Sequence, residues 1–222
     1  MNFNFAIPAL ALAAASFAVP AAAAVPVYAP KGVANVEVYD FVAAADGDLV
    51  GYWLGSITAS YTSMLSVSIN GVSSGLVFNN FTTPIGASFN FGPVSAGDSI
   101  VFYLDILYPS AVAPNRISSV IGDSIPVAQD DGLQQIWSTS YYSDGSIIPT
   151  GSFTYVAFED ILGYRDQIRR NDFDYNDHQF AFSNVKLNVV PEPATWAMLI
   201  TGFGLVGFAM RRRKASIASV AA

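Results

Sequence analysis

The ten residues Tyr61–Asn70, YTSMLSVSIN, carry the clearest strand pattern of the chain and decide its fold class. Apolar and polar side chains alternate along them, with Leu65, Val67 and Ile69 set against Ser66, Ser68 and Asn70. A period of two puts the apolar side chains on one face of a β-strand. The dipeptide Asn70-Gly71 is typical of a tight hairpin turn. The segment is therefore predicted to be a half-buried strand that ends in a turn.

Similar runs lie on both sides of this strand, and no apolar period of 3.6 residues extends over a useful length. They are NVEVYDFV (35–42), GLVFNNF (75–81), ASFNFGPV (87–94), DSIVFYLDIL (98–107), QIWSTSYY (135–142), FTYVAFED (153–160) and HQFAFSNVKLNVV (178–190). The apolar middle of DSIVFYLDIL predicts a central strand. Eight or nine strands at fairly regular spacing predict an all-β domain over residues 35–188, an antiparallel, jelly-roll-like β-sandwich.

The charge of the chain restricts its partners. Residues 25–190 number about 165, one domain's worth, and hold 16 of the 17 carboxylates but six of the ten basic side chains, a net charge of about −10. Such a segment offers no basic patch for phosphates, which argues against nucleic acid as a partner. Cations and neutral glycans are more suitable ligands.

Two residue counts exclude further kinds of site. The chain contains no cysteine, which excludes disulfides, thiolate-bound zinc, iron–sulfur clusters and thiol nucleophiles. Its single histidine, His178, excludes a metal site with several histidine ligands.

The N-terminal 24 residues have the pattern of a secretory signal peptide. An apolar run from Phe3 to Val19 leads into alanines, and Ala22 and Ala24 form a small-x-small cleavage site. We expect export through the Sec machinery, cleavage after Ala24, and an extended linker over residues 25–34. The alternative is a membrane anchor that is never cut.

The C-terminus has the pattern of a single transmembrane helix. Residues 194–210 are apolar apart from two threonines and are just long enough to span a bilayer. Trp196 stands at one end and the basic run Arg211–Lys214 at the other, which predicts a cytoplasmic tail over residues 215–222.

The order of elements at this end resembles the PEP-CTERM sorting signal of Gram-negative bacteria over residues 189–214. Pro191, Glu192 and Pro193 are followed by the apolar helix and then by Arg211, Arg212 and Arg213. The resemblance implies processing by an exosortase, a membrane protease, and an association with exopolysaccharide. It also implies a chain tethered to the inner membrane before processing and then placed at the cell surface or in the extracellular matrix. The alternative is an ordinary C-terminal anchor.

The stretch NDFDYNDHQF (171–180) concentrates oxygen ligands just before a predicted strand. Asp172, Asp174 and Asn176 have i, i+2, i+4 spacing, and a curled loop could direct all three at one Ca²⁺. Glu159 and Asp160 end the preceding strand and would come near this loop if the two strands paired as a hairpin. The stretch is not an EF-hand, because its sixth and twelfth positions lack the required Gly and Glu.

The same region is similar to a group of exported bacterial domains labelled DUF4114. The similarity is carried over 158–182 by Phe158-Glu159-Asp160-Ile161, by Asp172-Phe-Asp-Tyr-Asn-Asp177 and by Phe180-Ala-Phe182. The chain departs from the group where GYRDQIRRN (163–171) replaces a glycine-rich turn. The resemblance implies a β-sandwich with a calcium site. The candidate ligands are Glu159, Asp160, Asp172, Asp174, Asn176 and Asp177.

Other interpretations of these residues stay open. Arg165, Arg169 and Arg170 could neutralise the acidic loop without a metal. His178 is expected to be a surface or loop histidine, with a catalytic base as the alternative. The aromatic residues Trp53, Trp137, Tyr141 and Tyr142 could stack on sugars or simply pack in the sheets.

Three functions follow from these patterns. The first is a non-catalytic, Ca²⁺-binding protein of the cell surface or the exopolysaccharide matrix. The second is a glycan-binding module or adhesin. The third and least favoured is a glycoside hydrolase that uses Glu159 with Asp172 or Asp174.

Overall fold

The computed structural model describes residues 24–29, 31–57, 59, 61–107, 115–120, 123–124, 134–161, 172–190, 198–207 and 210. Within these ranges the chain forms twelve β-strands and one helix, α1, over residues 198–207. The strands are β1 (Val38–Ala43), β2 (Gly47–Gly55), β3 (Thr62–Ile69), β4 (Val72–Ser73), β5 (Val77–Asn79), β6 (Ser88–Val94), β7 (Ser99–Leu107), β8 (Asn115–Ser118), β9 (Ile136–Ser143), β10 (Gly151–Phe158), β11 (His178–Phe182) and β12 (Val185–Val190).

The strands form two sheets in which every pair is antiparallel. Sheet I has the order β12-β1-β7-β3-β4, with β5 also paired to β3 and β8 also paired to β7. Sheet II has the order β6-β2-β11-β10-β9. The central position predicted for β7 is confirmed, because this strand pairs with β1, β3 and β8.

The main core contains the apolar residues of both sheets. The ring of Phe102 in sheet I lies 4.4 Å from that of Phe182 in sheet II, and Phe78 lies 6.0 Å from Phe180. These contacts between facing sheets fit the predicted sandwich, and the all-β antiparallel class is confirmed. The jelly-roll-like arrangement stays a prediction.

The strand pattern differs from the sequence-based expectation in three respects, of which the first is that the short strands β4 and β8 were not predicted. Strand β2, in the interior of sheet II, was missed because glycines interrupt its apolar pattern. A Cβ atom at Gly51 would come within 2.8 Å of the rings of both Phe91 and Phe182, so glycine makes room for aromatic packing. The run 178–190 is also two strands, because Asn184 takes a left-handed conformation (φ 58°) and the chain then passes from sheet II to sheet I.

Sheet II is also covered on its outer face. Along β10 the side chains of Val156 and Phe158 enter the main core, whereas those of Tyr155 and Ala157 enter a second core. This second core is covered by Phe173 and Tyr175 and by part of the predicted linker. We call residues 25–29 and 31–32 the N-terminal strap, and residues 172–177 the acidic loop.

Helix α1 lies inside the predicted transmembrane segment 194–210, of which residues 194–197 and 208–209 fall outside the described part of the chain. Among the residues that the structure describes, no helix has both the length and the apolar character needed to cross a membrane. The spanning helix therefore stays a prediction, as do the signal peptide and the cytoplasmic tail, which also fall outside the described residues.

Candidate metal site

The acidic loop is curled by two aromatic residues in the left-handed region. Phe173 has φ 45° and Tyr175 has φ 51°, a conformation that costs a bulky side chain about 1–3 kcal/mol. Burial of both rings against sheet II offsets this cost. The Tyr175 hydroxyl donates to the carbonyl of Gln134 at 2.7 Å and accepts from the amide of Asn35 at 2.7 Å. The aromatic residues thus hold the loop down and fix its backbone.

The curled loop brings three carboxylates together. Strands β10 and β11 pair as the predicted hairpin, with Phe158 opposite His178, so Glu159 lies beside the acidic loop. One carboxylate oxygen from each of Glu159, Asp172 and Asp174 lies within 4.8 Å of the others. Two oxygens bound to one Ca²⁺ at 2.3–2.6 Å are separated by at most about 5 Å. We call these three residues the acidic cluster, and their spacing suits a single ion.

Lys31 of the N-terminal strap contacts the acidic cluster. Its ammonium nitrogen lies 2.6 Å from Oδ2 of Asp174 and 3.6 Å from Oδ2 of Asp172. The side-chain amide of Asn176 also donates to Oδ2 of Asp174, at 2.6 Å. The second oxygen of Asp174, Oδ1, is buried and accepts no hydrogen bond from the residues that the structure describes. A buried carboxylate oxygen without a donor is an available ligand for a cation.

Glu159 is the most deeply buried member of the acidic cluster, with 1% of its surface exposed. It accepts a hydrogen bond from the backbone N–H of Tyr175. Burial, and secondarily the charge of Asp177, raise the pKa of Glu159 to about 9. Without a metal, Glu159 therefore holds a proton at neutral pH, and an ion that binds there must displace it.

Asp160 and Asp177 have backbone partners instead. Oδ2 of Asp177 accepts from the N–H of Asp160 at 3.0 Å, and Oδ2 of Asp160 accepts from the N–H of Tyr61 at 2.9 Å. Burial, followed by the charge of Asp160, raises the pKa of Asp177 to about 8. Of the six candidate ligands, the structure therefore brings three together and places Asn176 beside them as a donor. The other two point elsewhere: Asp177 toward the end of β10 and Asp160 toward the start of β3.

Lys31 was not recognised from the sequence as part of the site. It lies 143 residues from Asp174, in a segment predicted to be a linker. The one available signal was its isolation, because it is the only basic residue before Arg116. Arg165, Arg169 and Arg170, the predicted alternative partners, lie outside the described residues.

The prediction of a surface position for His178 was wrong. His178 is the first residue of β11, has 0% of its surface exposed, and lies 6.1 Å from Trp53 between ring centroids. Neither ring nitrogen has a hydrogen-bond partner within the described ranges, and burial lowers the pKa of His178 to about 3. A residue enclosed in this way cannot reach a substrate as a general base.

The aromatic residues considered for sugar stacking are mostly buried. Trp53 lies in the main core and Tyr141 in the second core, while Trp137 packs edge-on against Tyr28 and Tyr155. Tyr142 is exposed over 59% of its surface. Packing in the sheets therefore accounts for three of the four.

A cavity of about 280 Å³ lies next to the acidic cluster. Its apolar wall is formed by the strap residues Val25–Tyr28 and by Ile57, and its polar wall includes Lys31, Asp174 and Asn176. The cavity gives small ions and water a path to Asp174.

The domain therefore consists of two antiparallel sheets, with the acidic cluster beneath the N-terminal strap. At the C-terminus, residues 189–214 match the PEP-CTERM protein-sorting motif. This motif supports an exported protein that is sorted by an exosortase and processed while anchored in the membrane. No curated protein and no solved structure matches the chain. The resemblance of residues 158–182 to the DUF4114 group stays a prediction.

Proposed function

We propose that the protein is a non-catalytic component of the cell surface or the exopolysaccharide matrix, and that its domain binds Ca²⁺ through Glu159, Asp172 and Asp174. The sorting motif at residues 189–214 supports the cellular role. The convergence of the acidic cluster within 4.8 Å is the observation that carries the calcium proposal.

The donor set favours a hard cation. All three groups are carboxylates, and oxygen ligands select Ca²⁺ or Mg²⁺ over metals that prefer nitrogen or sulfur. Two members of the acidic cluster, Glu159 and Asp174, are buried, and Asp174 has a free oxygen. Asn176 could add an oxygen if its amide rotated away from the donor orientation. Ca²⁺ is preferred over Mg²⁺ because it accepts an irregular site that mixes loop and strand ligands.

A bound ion would act on the stability of the domain. It would connect the end of β10, through Glu159, to the acidic loop, through Asp172 and Asp174. That connection would fix the cover of the second core. Hydrolysis of a glycoside is disfavoured because Glu159 is buried beneath the backbone of Tyr175, where a sugar oxygen cannot reach it.

Calcium binding is tested by calorimetric titration and thermal unfolding of the purified protein. An extracellular-type dissociation constant of about 10⁻⁴–10⁻³ M would stabilise the fold by roughly 1.4–2.7 kcal/mol at about 10 mM Ca²⁺. Asp174→Asn should abolish the heat signal, and Asp48→Asn, at an exposed carboxylate on β2, is the matched control. The absence of both heat and a melting shift in the unaltered protein would refute the calcium proposal.

The cellular role is tested by cell fractionation with and without the exosortase. We expect the mature protein outside the inner membrane in normal cells and an unprocessed, membrane-bound form when the protease is missing. A polysaccharide partner is a further element of the proposal, and a glycan array with the exported protein tests it. Accumulation in the cytoplasm would contradict the proposed role.

A further inference from the structure

We propose that Lys31 is a tethered counter-ion of the acidic cluster and that a divalent cation displaces its ammonium group from Asp174 and Asp172. The inference rests on the proposed function, because the displacing ion is the Ca²⁺ assigned to the same residues. It adds that Lys31, which is far from the acidic cluster in sequence, sets the affinity of the site for the ion.

The first argument is that the ammonium group and the ion would bind the same carboxylates. The nitrogen of Lys31 lies 2.6 Å from Oδ2 of Asp174, and Ca²⁺ would lie 2.3–2.6 Å from an oxygen of the same carboxylate. The cluster oxygens lie within 4.8 Å of one another, which leaves room for one cation among them. Two positive charges at this spacing would also repel each other strongly.

The second argument is that Lys31 can leave at little cost. Its side chain is 64% exposed, and its contacts among the described residues are these two carboxylates. An ion pair whose lysine is exposed contributes little stability, because water solvates the ammonium group, and a bound ion would take over the charge of the buried Asp174. A released lysine regains both water and rotamer freedom, because its stem is long and flexible.

The third argument is that the strap has other attachments. The N–H of Gly32 donates to the carbonyl of Phe173 at 3.2 Å. The ring of Tyr28 packs edge-on against Tyr175 at 4.6 Å. The Lys31 side chain can therefore swing into solvent while the strap backbone stays on sheet II.

This exchange would have two consequences for the site. The acidic cluster would be paired with a cation whenever calcium is absent or dilute. The affinity for Ca²⁺ would also be weaker than that of an open carboxylate cluster, since each binding event must displace the ammonium group. Lys31 would thus set the concentration at which the site fills.

The first test measures amine reactivity. The protein is acylated briefly with an amine-specific reagent, with and without saturating Ca²⁺, and the modified lysines are quantified by mass spectrometry. Lys31 should react several-fold faster with Ca²⁺ present, because its nitrogen is released. Lys186, exposed on β12, is the internal control and should not change. Equal reactivity of Lys31 in both conditions, with calcium bound, would overturn the inference.

The second test compares calcium affinities of Lys31→Met and Lys186→Met by calorimetry. Lys31→Met should bind Ca²⁺ several-fold more tightly, because no ammonium group has to be displaced from the cluster. Lys186→Met should match the unaltered protein.

The outcomes separate the two proposals. Calcium binding with no change in Lys31→Met would overturn the exchange and leave the proposed function intact. Calcium binding in Lys31→Met alone would overturn both, since the ammonium group would then be a permanent occupant. If Lys31→Met does not fold, the acylation experiment on the unaltered protein decides.

Discussion

The two faces of sheet II are covered in different ways. The inner face packs against sheet I through aromatic and aliphatic side chains such as Phe180 and Phe182. The outer face is covered by the acidic loop and the strap, and Glu159, Asp174 and Asp177 are buried there or at its edge. Apolar burial stabilises the first cover, whereas the second combines apolar packing with charged groups that an ion can pair. We therefore expect the inner core to be insensitive to ions and the outer cover to respond to them.

The largest effect is expected from Phe182→Ala in the inner core. Phe182 is fully buried, and its ring lies 4.4 Å from that of Phe102. Loss of the ring should reduce the free energy of unfolding by about 3–5 kcal/mol, measured by urea denaturation. Calcium should raise the stability of this variant by the same amount as in the unaltered protein. A selective rescue by calcium would show that the two faces are not independent.

The next effect concerns pH and His178. Folded His178 stays neutral down to about pH 3, whereas in the unfolded chain it binds a proton near pH 6.5. At this residue the unfolded state therefore binds more protons between these values, so the contribution of His178 to stability falls by about 2 kcal/mol as the pH falls from 6.5 to 5. The pKa values of Glu159 and Asp177 are raised in the folded state, so over this range the folded state binds more protons at these groups than the unfolded chain does. Their contributions to stability therefore rise as the pH falls from the folded pKa to the unfolded pKa.

The contribution of His178 is isolated by comparing His178→Leu with the unaltered protein. The carboxylates are common to both proteins and cancel in the difference. On going from pH 6.5 to 5, the free energy of unfolding of the variant should rise by about 2 kcal/mol relative to that of the unaltered protein, as followed by urea unfolding at several pH values. Parallel stability curves would contradict the lowered pKa of buried His178.

The smallest effect is expected from Tyr175→Phe in the outer cover. The change leaves the buried carbonyl of Gln134 and the N–H of Asn35 without the hydroxyl, at a cost of about 1–3 kcal/mol. It should also weaken calcium binding, because Tyr175 fixes the loop that carries Asp174. Tyr142→Phe, at an exposed position, is the matched control and should be neutral. Equal stabilities of the two variants would mean that the hydroxyl does not hold the loop.

Local patterns in the sequence were sufficient for much of the fold. Strands β3 and β7 were predicted to within a residue at each end, because strict alternation or a continuous apolar run leaves little ambiguity. Strand β2 was missed because its glycines are explained only by residues of other strands. Phe91 and Phe182 occupy the space that a side chain at Gly51 would fill. The crossing of the chain from sheet II to sheet I at Asn184 was also not predicted, because apolar residues continue on both sides of the turn.

The same limit applies to the candidate site. The acidic residues were visible because they are close together in sequence, and the β10–β11 hairpin correctly brought Glu159 to the loop. Lys31 was not visible, since its contact with Asp174 spans 143 residues. The burial of His178 could not be anticipated either, because a polar residue at the start of a strand usually faces solvent.

The pairing of the last strand with the first has a consequence for the release of the protein. Val190, at the end of β12, lies opposite Val38, at the start of β1, so β12 is paired with β1 up to its last residue. Pro191 comes next in the sequence and has no N–H with which to extend the ladder. A cut near residues 191–193 would thus fall just beyond the last paired residue of β12. The released domain would keep every backbone hydrogen bond between β1 and β12, so its separation from the membrane would not lower its stability.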